Sequence, residues 1–155
     1  MKTPPQSIID AAVQAANASP CAKSQRGVVI WSSFAEPLLL SAGRNAQPTP
    51  FACDSSDACR AACGRLCEHA EAAALRNLGG LLGFGFEMAH VKTVDGVLVA
   101  SGPPSCSDCS KAILADGRIS GMWLYQDDGW HRYTVVEFHT LSLQANKLPV
   151  LRGQS

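Results

Sequence analysis

The sequence predicts a three-layer α/β domain, with a mixed five-stranded sheet and helices on both faces, spanning residues 1–155 as a single unit. Three observations carry that expectation. A chain of 155 residues is the size of one ordinary domain and long enough to bury a core. Apolar residues make up 46% of it and charged residues 17%, which suits a packed interior and argues against disorder. Short β-branched runs alternate with Ala- and Leu-rich stretches in the order α, β-hairpin, α, β, α, β, α, β. No internal repeat and no break in composition divides the chain.

The first element begins at Thr3-Pro4-Pro5, a capping hydroxyl followed by prolines suited to a first helical turn. Ile8, Ile9, Ala12, Val13 and Ala16 then share one helical face, and Ser19-Pro20 ends the helix. Residues 27–31 and 37–42 are apolar runs split by Ser32-Ser33, which predicts an antiparallel hairpin. Residues 43–65 read as irregular, being rich in Pro, Ser and Asp. Helix signals return over 66–78 and close at Gly79-Gly80. Residues 81–90 read as a Gly-rich loop, and the stretch 79–86, which lacks the Lys-Ser/Thr ending of a phosphate loop, reads as a flexible connection or pocket lid. Residues 91–100 read as a strand interrupted at Asp95-Gly96 and ended by Gly102-Pro103-Pro104. A helix is expected over 107–115 and a short strand over 121–125. Residues 133–138 have the β-branched content of a strand, yet Thr134-Val135-Val136-Glu137 fits a capping box. With Val135, Phe138, Leu141 and Ala145 on one face, a helix to about Asn146 is expected, then a closing strand over 148–151.

Composition also bounds function. Formal net charge is zero, whereas proteins that hold long nucleic acids usually carry a basic excess. A nucleic-acid partner is therefore disfavoured, although Arg60, Arg65 and Arg76 could form a local patch. Residues 1–19 lack the continuous apolar stretch of a signal peptide, and no run is long enough for a bilayer. A cytoplasmic chain without membrane partners is expected. In a reducing compartment seven cysteines read as metal ligands or buried thiols, and an odd number cannot all pair internally.

Two short motifs carry the chemistry. His69-Ala70-Glu71 stands at the head of a predicted helix, and Cys106-Ser107-Asp108-Cys109 stands where a strand passes through Gly-Pro-Pro into the next. One imidazole and two thiolates make three strong zinc ligands and leave the fourth tetrahedral position for water, as catalytic zinc sites do. Helix N-termini favour thiolates and an ionised carboxylate. Zinc lowers the pKa of water to about 7. Glu71 is then placed to move protons between that water, a ring nitrogen and a departing amine. His-x-Glu followed by Cys-x-x-Cys is the signature of zinc deaminases.

Through these motifs the chain resembles the cytidine and deoxycytidylate deaminase superfamily, over roughly residues 18–151. The likeness includes Ser19-Pro20-Cys21-Ala22-Lys23 before the first strand and Ala42-Gly43-Arg44-Asn45 after the second. It implies a cytidine-deaminase-like fold, one catalytic Zn²⁺ on His69, Cys106 and Cys109, and Glu71 as the catalytic proton carrier. It makes Asn45 a contact for the substrate sugar, and Ala70 is taken as a second substrate contact. A closing helix and parallel last strand would place the chain with deoxycytidylate and tRNA-adenosine deaminases, since simple cytidine deaminases lack that strand. The reaction implied is removal of the exocyclic amine of a cytosine-type nucleoside or nucleotide, deoxycytidylate favoured, with release of ammonia. Family members often form dimers or larger rings, so a homo-oligomer is expected. In most relatives the proline directly precedes the first cysteine of the second motif; here Ser105 intervenes.

Other readings stay open at this point. A deaminase acting on a base within single-stranded DNA or RNA would share the motifs, as would a non-catalytic zinc-stabilised binding protein. A structural site closed by Cys67 would use the same ligands. Cys21, Cys53, Cys59 and Cys63 form a further group, with Cys59 and Cys63 on one helical face if that segment is helical. Some deoxycytidylate deaminases carry a second, structural zinc in this region; the alternative is buried or reactive single thiols. His90, His131 and His139 have no ligand spacing and read as ordinary surface or core histidines. Phe51, Trp31 and Tyr125 are candidates for stacking on a base, with core packing the competing role.

Overall fold

The computed structural model describes residues 2–150. Its centre is built from strands whose successive side chains serve two different cores. In β1 (Gln25–Ser32), Val28 and Ile30 face one side while Val29 and Trp31 face the other, and all four are fully buried. The Val28–Ile30 side packs against Ala70, Ala74 and Leu78 of α3 (Ala70–Leu78), Ile113 of α4 (Ser107–Asp116) and Phe138 of α5 (Val135–Ala145). The Val29–Trp31 side packs against Ile8, Ala12 and Ala16 of α1 (Gln6–Asn17). One helix on one face and three on the other make the predicted three layers.

The remaining strands are β2 (Leu38–Arg44), β3 (Phe86–Val94), the short β4 (Val97–Val99), β5 (Ile119–Gln126) and β6 (Gly129–Thr134). The sheet is ordered β2-β1-β3-β5-β6, with β4 paired to β3 off that path. Only β3 and β5 run parallel; the other pairs are antiparallel. The remaining helix, α2 (Asp57–Leu66), lies on the surface with none of its residues buried. No described helix is long and apolar enough to cross a membrane.

Several elements differ from expectation. Residues 86–90, read as part of a loop, are half of the central strand β3. The glycines at 79, 80, 83 and 85 obscure a buried stretch whose Glu87 and His90 break the apolar run. Glu87 is accommodated by hydrogen bonds from Trp123 Nε1 at 2.7 Å and from the Arg132 guanidinium at 2.7 and 3.0 Å. Asp95 and Gly96 split the next stretch into the β3–β4 hairpin. Within the segment read as irregular, Ser56 accepts a hydrogen bond from Cys59 N and starts α2. Helix α1 is preceded by Pro5 rather than capped by a Thr3 hydroxyl.

The ambiguous C-terminal stretch is both things in succession: β6 ends at Thr134, and Thr134 then caps α5 through the full capping box with Glu137. The expected closing strand over 148–151 is not formed at residues 148–150, and Leu151 lies outside the described residues. The edge beyond β5 is instead β6, antiparallel to it. Its two-residue turn is Asp127-Asp128, closed by Gly129 at positive φ, a hairpin signal present in the sequence.

Two glycines allow the layers to close. A Cβ on Gly27 would overlap the backbone of α1 at Ala16 N and Ala12 O, and one on Gly43 would overlap α3 at Ala74 N and Ala70 O. Backbone cannot yield as a side chain can, so Gly27→Ala is expected to destabilise at or above the upper end of the usual overpacking cost, about 3 kcal/mol. Urea unfolding of the variant measures this, and a loss below about 1 kcal/mol would show that α1 shifts freely.

Candidate active site

The site forms where α3 and α4 begin. His69 is the N-cap of α3 with extended backbone (φ −73°, ψ 153°), and Ala70 and Glu71 fill the first turn. Cys106 is the N-cap of α4 in nearly the same conformation (φ −70°, ψ 155°), and its sulfur accepts a hydrogen bond from Cys109 N. Both helices pack on the same face of the sheet, so their N-termini bring the two motifs together. His69 Nδ1 lies 3.3 Å from Cys106 Sγ and 3.3 Å from Cys109 Sγ. All three ligand atoms fall within 4.8 Å of one another, the one such His, Cys, Asp or Glu group among the described residues.

The donor set suits a divalent cation. Zinc bonds of about 2.0–2.3 Å in a tetrahedron put neighbouring nitrogen and sulfur ligands about 3.5 Å apart, close to the spacing here. The charges point the same way. Hydrogen bonds from Cys109 and His69 pull the Cys106 thiol down to about 4, while sharing that hydrogen bond, together with burial, pushes Cys109 up. Two adjacent thiols cannot both ionise until a positive charge joins them. Cys67, the residue that would close a structural site, lies outside the group; its sulfur is 3.2 Å from Cys63 instead. Among the described residues no fourth protein ligand joins the group.

The group opens on a cavity of about 440 Å³, within the range that holds small-molecule ligands. Its wall includes Asn45, His69, Ala70, Glu71, His90 and Cys106. Glu71 is buried yet reaches this cavity, and Ser105 Oγ donates a hydrogen bond to its Oε1 at 3.2 Å. The residue that separates Pro104 from Cys106 therefore touches the Glu71 carboxylate. His90 Nδ1 stands 3.3 Å from the same oxygen, out of hydrogen-bond alignment, and neither ring nitrogen has a hydrogen-bond partner among the described residues. Burial pushes its pKa down, which disfavours an imidazolium and hence an ion pair with Glu71. Arg26 lines the same wall, its guanidinium fixed by Ser101 O and Ser24 Oγ.

Spacing along the chain gave no sign of His90. Its signal is two-dimensional: alternation along β3 puts it on the same face as Phe86 and Met88, the face that carries α3 and α4. The other two histidines are ordinary, His131 bonded to Asp128 at the surface and His139 to Ser110. None of the stacking candidates reaches the cavity. Trp31 points into the α1 layer, Tyr125 packs edge-on against Trp130, and Phe51 is exposed. The Gly-rich connection does not line the cavity either, so it is no lid; Arg118 ties its start through Gly79 O and Leu81 O.

Asn45 lines the cavity but is largely committed to the framework. Its Oδ1 accepts from Ser19 Oγ and Arg26 N, and its Nδ2 donates to Ser24 O, leaving one N–H for a ligand. Cys21, Cys53, Cys59 and Cys63 line one small void of about 10 Å³, with Cys53 and Cys59 sulfurs 3.6 Å apart. No three of those four sulfurs come within the mutual distance that the His69 group shows. Arg76 is held by Glu68 rather than contributing to a basic patch. A larger cavity of about 610 Å³ beside β2 and α3 contains none of the motif residues.

Ser105→Ala removes one hydrogen bond from Glu71 without touching the ligands. We expect turnover to fall about 5- to 20-fold, the loss of about 1–2 kcal/mol of positioning, with zinc content unchanged. Steady-state kinetics beside elemental analysis would check this, and unchanged kcat would remove Ser105 from the machinery.

The fold of this chain is that of known deaminases. A cytidine deaminase from Burkholderia pseudomallei superposes with a TM-score of 0.60 at 16% identity, over 88% of this chain and 96% of that one. A dCMP deaminase from the cyanophage S-TIM5, solved with dCMP and dUMP, gives 0.56 at 20% identity over 76% of each chain. The apo form of the same enzyme gives 0.54 at 20% identity, over 76% of this chain and 78% of that one. No protein-family model and no curated protein matches the sequence.

Proposed function

We propose that this chain, which has the fold of the cytidine and deoxycytidylate deaminase superfamily, is a zinc-dependent hydrolase that removes the exocyclic amine of a cytosine-type nucleoside or nucleotide. The observation that carries this reading is Glu71, a buried carboxylate facing a cavity beside an open His/Cys/Cys group. A purely structural metal site has no use for such a carboxylate, which argues against a non-catalytic binding protein.

His69, Cys106 and Cys109 would hold the zinc ion, which supplies Lewis acidity and makes water nucleophilic at neutral pH. Glu71 takes a proton from the attacking water and delivers it to the ring nitrogen beside the reacting carbon, then carries the second proton to the departing amine. Ser105 holds one Glu71 oxygen, so the other is free to exchange protons. The N-termini of α3 and α4 favour the anionic groups gathered there. Ala70, buried at the head of α3, shapes the wall, and the remaining Asn45 N–H is available to a sugar hydroxyl. A single zinc per chain is proposed, because the remaining cysteines do not converge as ligands.

The antiparallel β5–β6 edge removes the topological ground for favouring deoxycytidylate, so nucleoside and nucleotide stand together as candidates. A base within nucleic acid is the second reading. It predicts steep loss of binding with salt, where a small nucleotide shows a shallow one. Exposed Phe34, Leu82 and Phe84 support the expectation of a homo-oligomer.

Ammonia release against cytosine, cytidine, deoxycytidine, deoxycytidylate, adenosine, guanine and a short single-stranded DNA tests the proposal. Turnover of a cytosine-type nucleoside or nucleotide, lost in Glu71→Gln, is expected. Silence across the panel from zinc-loaded protein would overturn it.

A further inference from the structure

In the cavity wall stand two thiols, outside the His69 group, that the proposed chemistry does not use. Cys63, near the end of α2, and Cys67, its C-cap, both line the cavity and both are half-buried. Their sulfurs are 3.2 Å apart, closer than the 3.6 Å between Cys53 and Cys59. Residues four apart at a helix end have Cα atoms about 6 Å apart, inside the range a disulfide spans. Helix α2 has no buried residue, so the small shift that brings the sulfurs into bonding distance falls to its Cys63 end, while Cys67 is held beside the Ala46–Glu68 bridge.

We propose that Cys63 and Cys67 are a dithiol modification site that hydroperoxides convert to a disulfide in the cavity wall. One thiolate attacks the peroxide O–O bond, giving a sulfenic acid and hydroxide. The neighbouring sulfur then attacks that sulfenic sulfur, forming the S–S bond and expelling water. In sum, two thiols and one hydrogen peroxide give one disulfide and two waters; the sulfurs are oxidised and the peroxide reduced. Its place in the cavity wall, at two partly exposed residues, leaves the bond accessible to reducing thiols, so the change is reversible.

The same geometry argues against a metal at this pair. No third His, Cys, Asp or Glu ligand lies within 4.8 Å of both sulfurs among the described residues.

The test uses the zinc-loaded full chain, treated with hydrogen peroxide, alkylated with iodoacetamide and mapped by mass spectrometry. The expected product links Cys63 to Cys67, two hydrogens lighter than the dithiol, and dithiothreitol restores both free thiols. In Cys67→Ser, Cys63 should stop at the sulfenic acid and be trapped by dimedone. Cys63→Ser makes the same test from the other side, at a half-exposed position. Pairing of Cys63 with Cys53 or Cys59, or free alkylation of both thiols after peroxide, would overturn the proposal. Because the readout is mass, it succeeds or fails independently of deaminase turnover.

Discussion

Glu71→Gln should lower kcat by about 10²–10⁴-fold and leave the zinc content of the protein unchanged. Gln keeps the volume of the side chain and an oxygen that accepts from Ser105 Oγ, so the cavity wall is preserved. What it loses is the capacity to take a proton from water and pass it on twice in one cycle. The size of the loss follows from the number of steps that depend on that one group. Ammonia release measured beside elemental analysis separates the two effects. Turnover within a few-fold of the parent would remove Glu71 from the reaction and, with it, the observation on which the proposed function rests.

The second large effect concerns the metal. Cys109→Ala should weaken zinc binding by more than the 10- to 100-fold that outer-shell changes cost, about two orders of magnitude at least. Turnover should be lost with the metal. Cys109 is buried in the third position of α4, and its sulfur lies 3.3 Å from His69 Nδ1, so no nearby side chain can take its place. Cys53→Ala is the control, since Cys53 lies outside the ligand group. It should leave zinc content as it was. Loss of one zinc equivalent in Cys53→Ala would instead show a second site on Cys21, Cys53, Cys59 and Cys63.

The convergence of the His/Cys/Cys group was legible in the sequence because each of its residues stands at a local position. His69 and Cys106 are helix N-caps, and Glu71 and Cys109 follow within one turn. A motif at a strand-to-helix boundary therefore specifies both the ligand and its direction. Where roles depend on what lies across the sheet, the sequence is silent. His90 becomes part of the site only through the register that sets it beside Val28 and Leu124, on the face where Glu71 sits. Trp31 and Tyr125 fail as stacking residues for the same reason, since alternation turns both to the α1 side. Ser105, visible as an odd insertion, gains meaning only once its hydroxyl is seen against Glu71.

Element boundaries divide along similar lines. The capping box at Thr134 is a local signal and was readable, as was the hairpin of β1 and β2. Helix α2 buries no residue and has no large apolar side chain but Leu66, so the Ser56 cap is its clearest cue. Strand β6 is mostly half-exposed, and its neighbour in sequence is a helix, so the β-branched residues at the junction served two elements at once.

In the proposed enzyme His69, Cys106 and Cys109 hold one catalytic zinc beside Glu71. The most direct measurement strips the protein with a chelator and restores zinc in steps while ammonia release from cytidine and deoxycytidylate is followed. Activity on at least one of them should rise linearly and saturate at one equivalent of zinc per chain. Full activity in the stripped protein, or saturation with zinc bound and no ammonia released, would contradict the account.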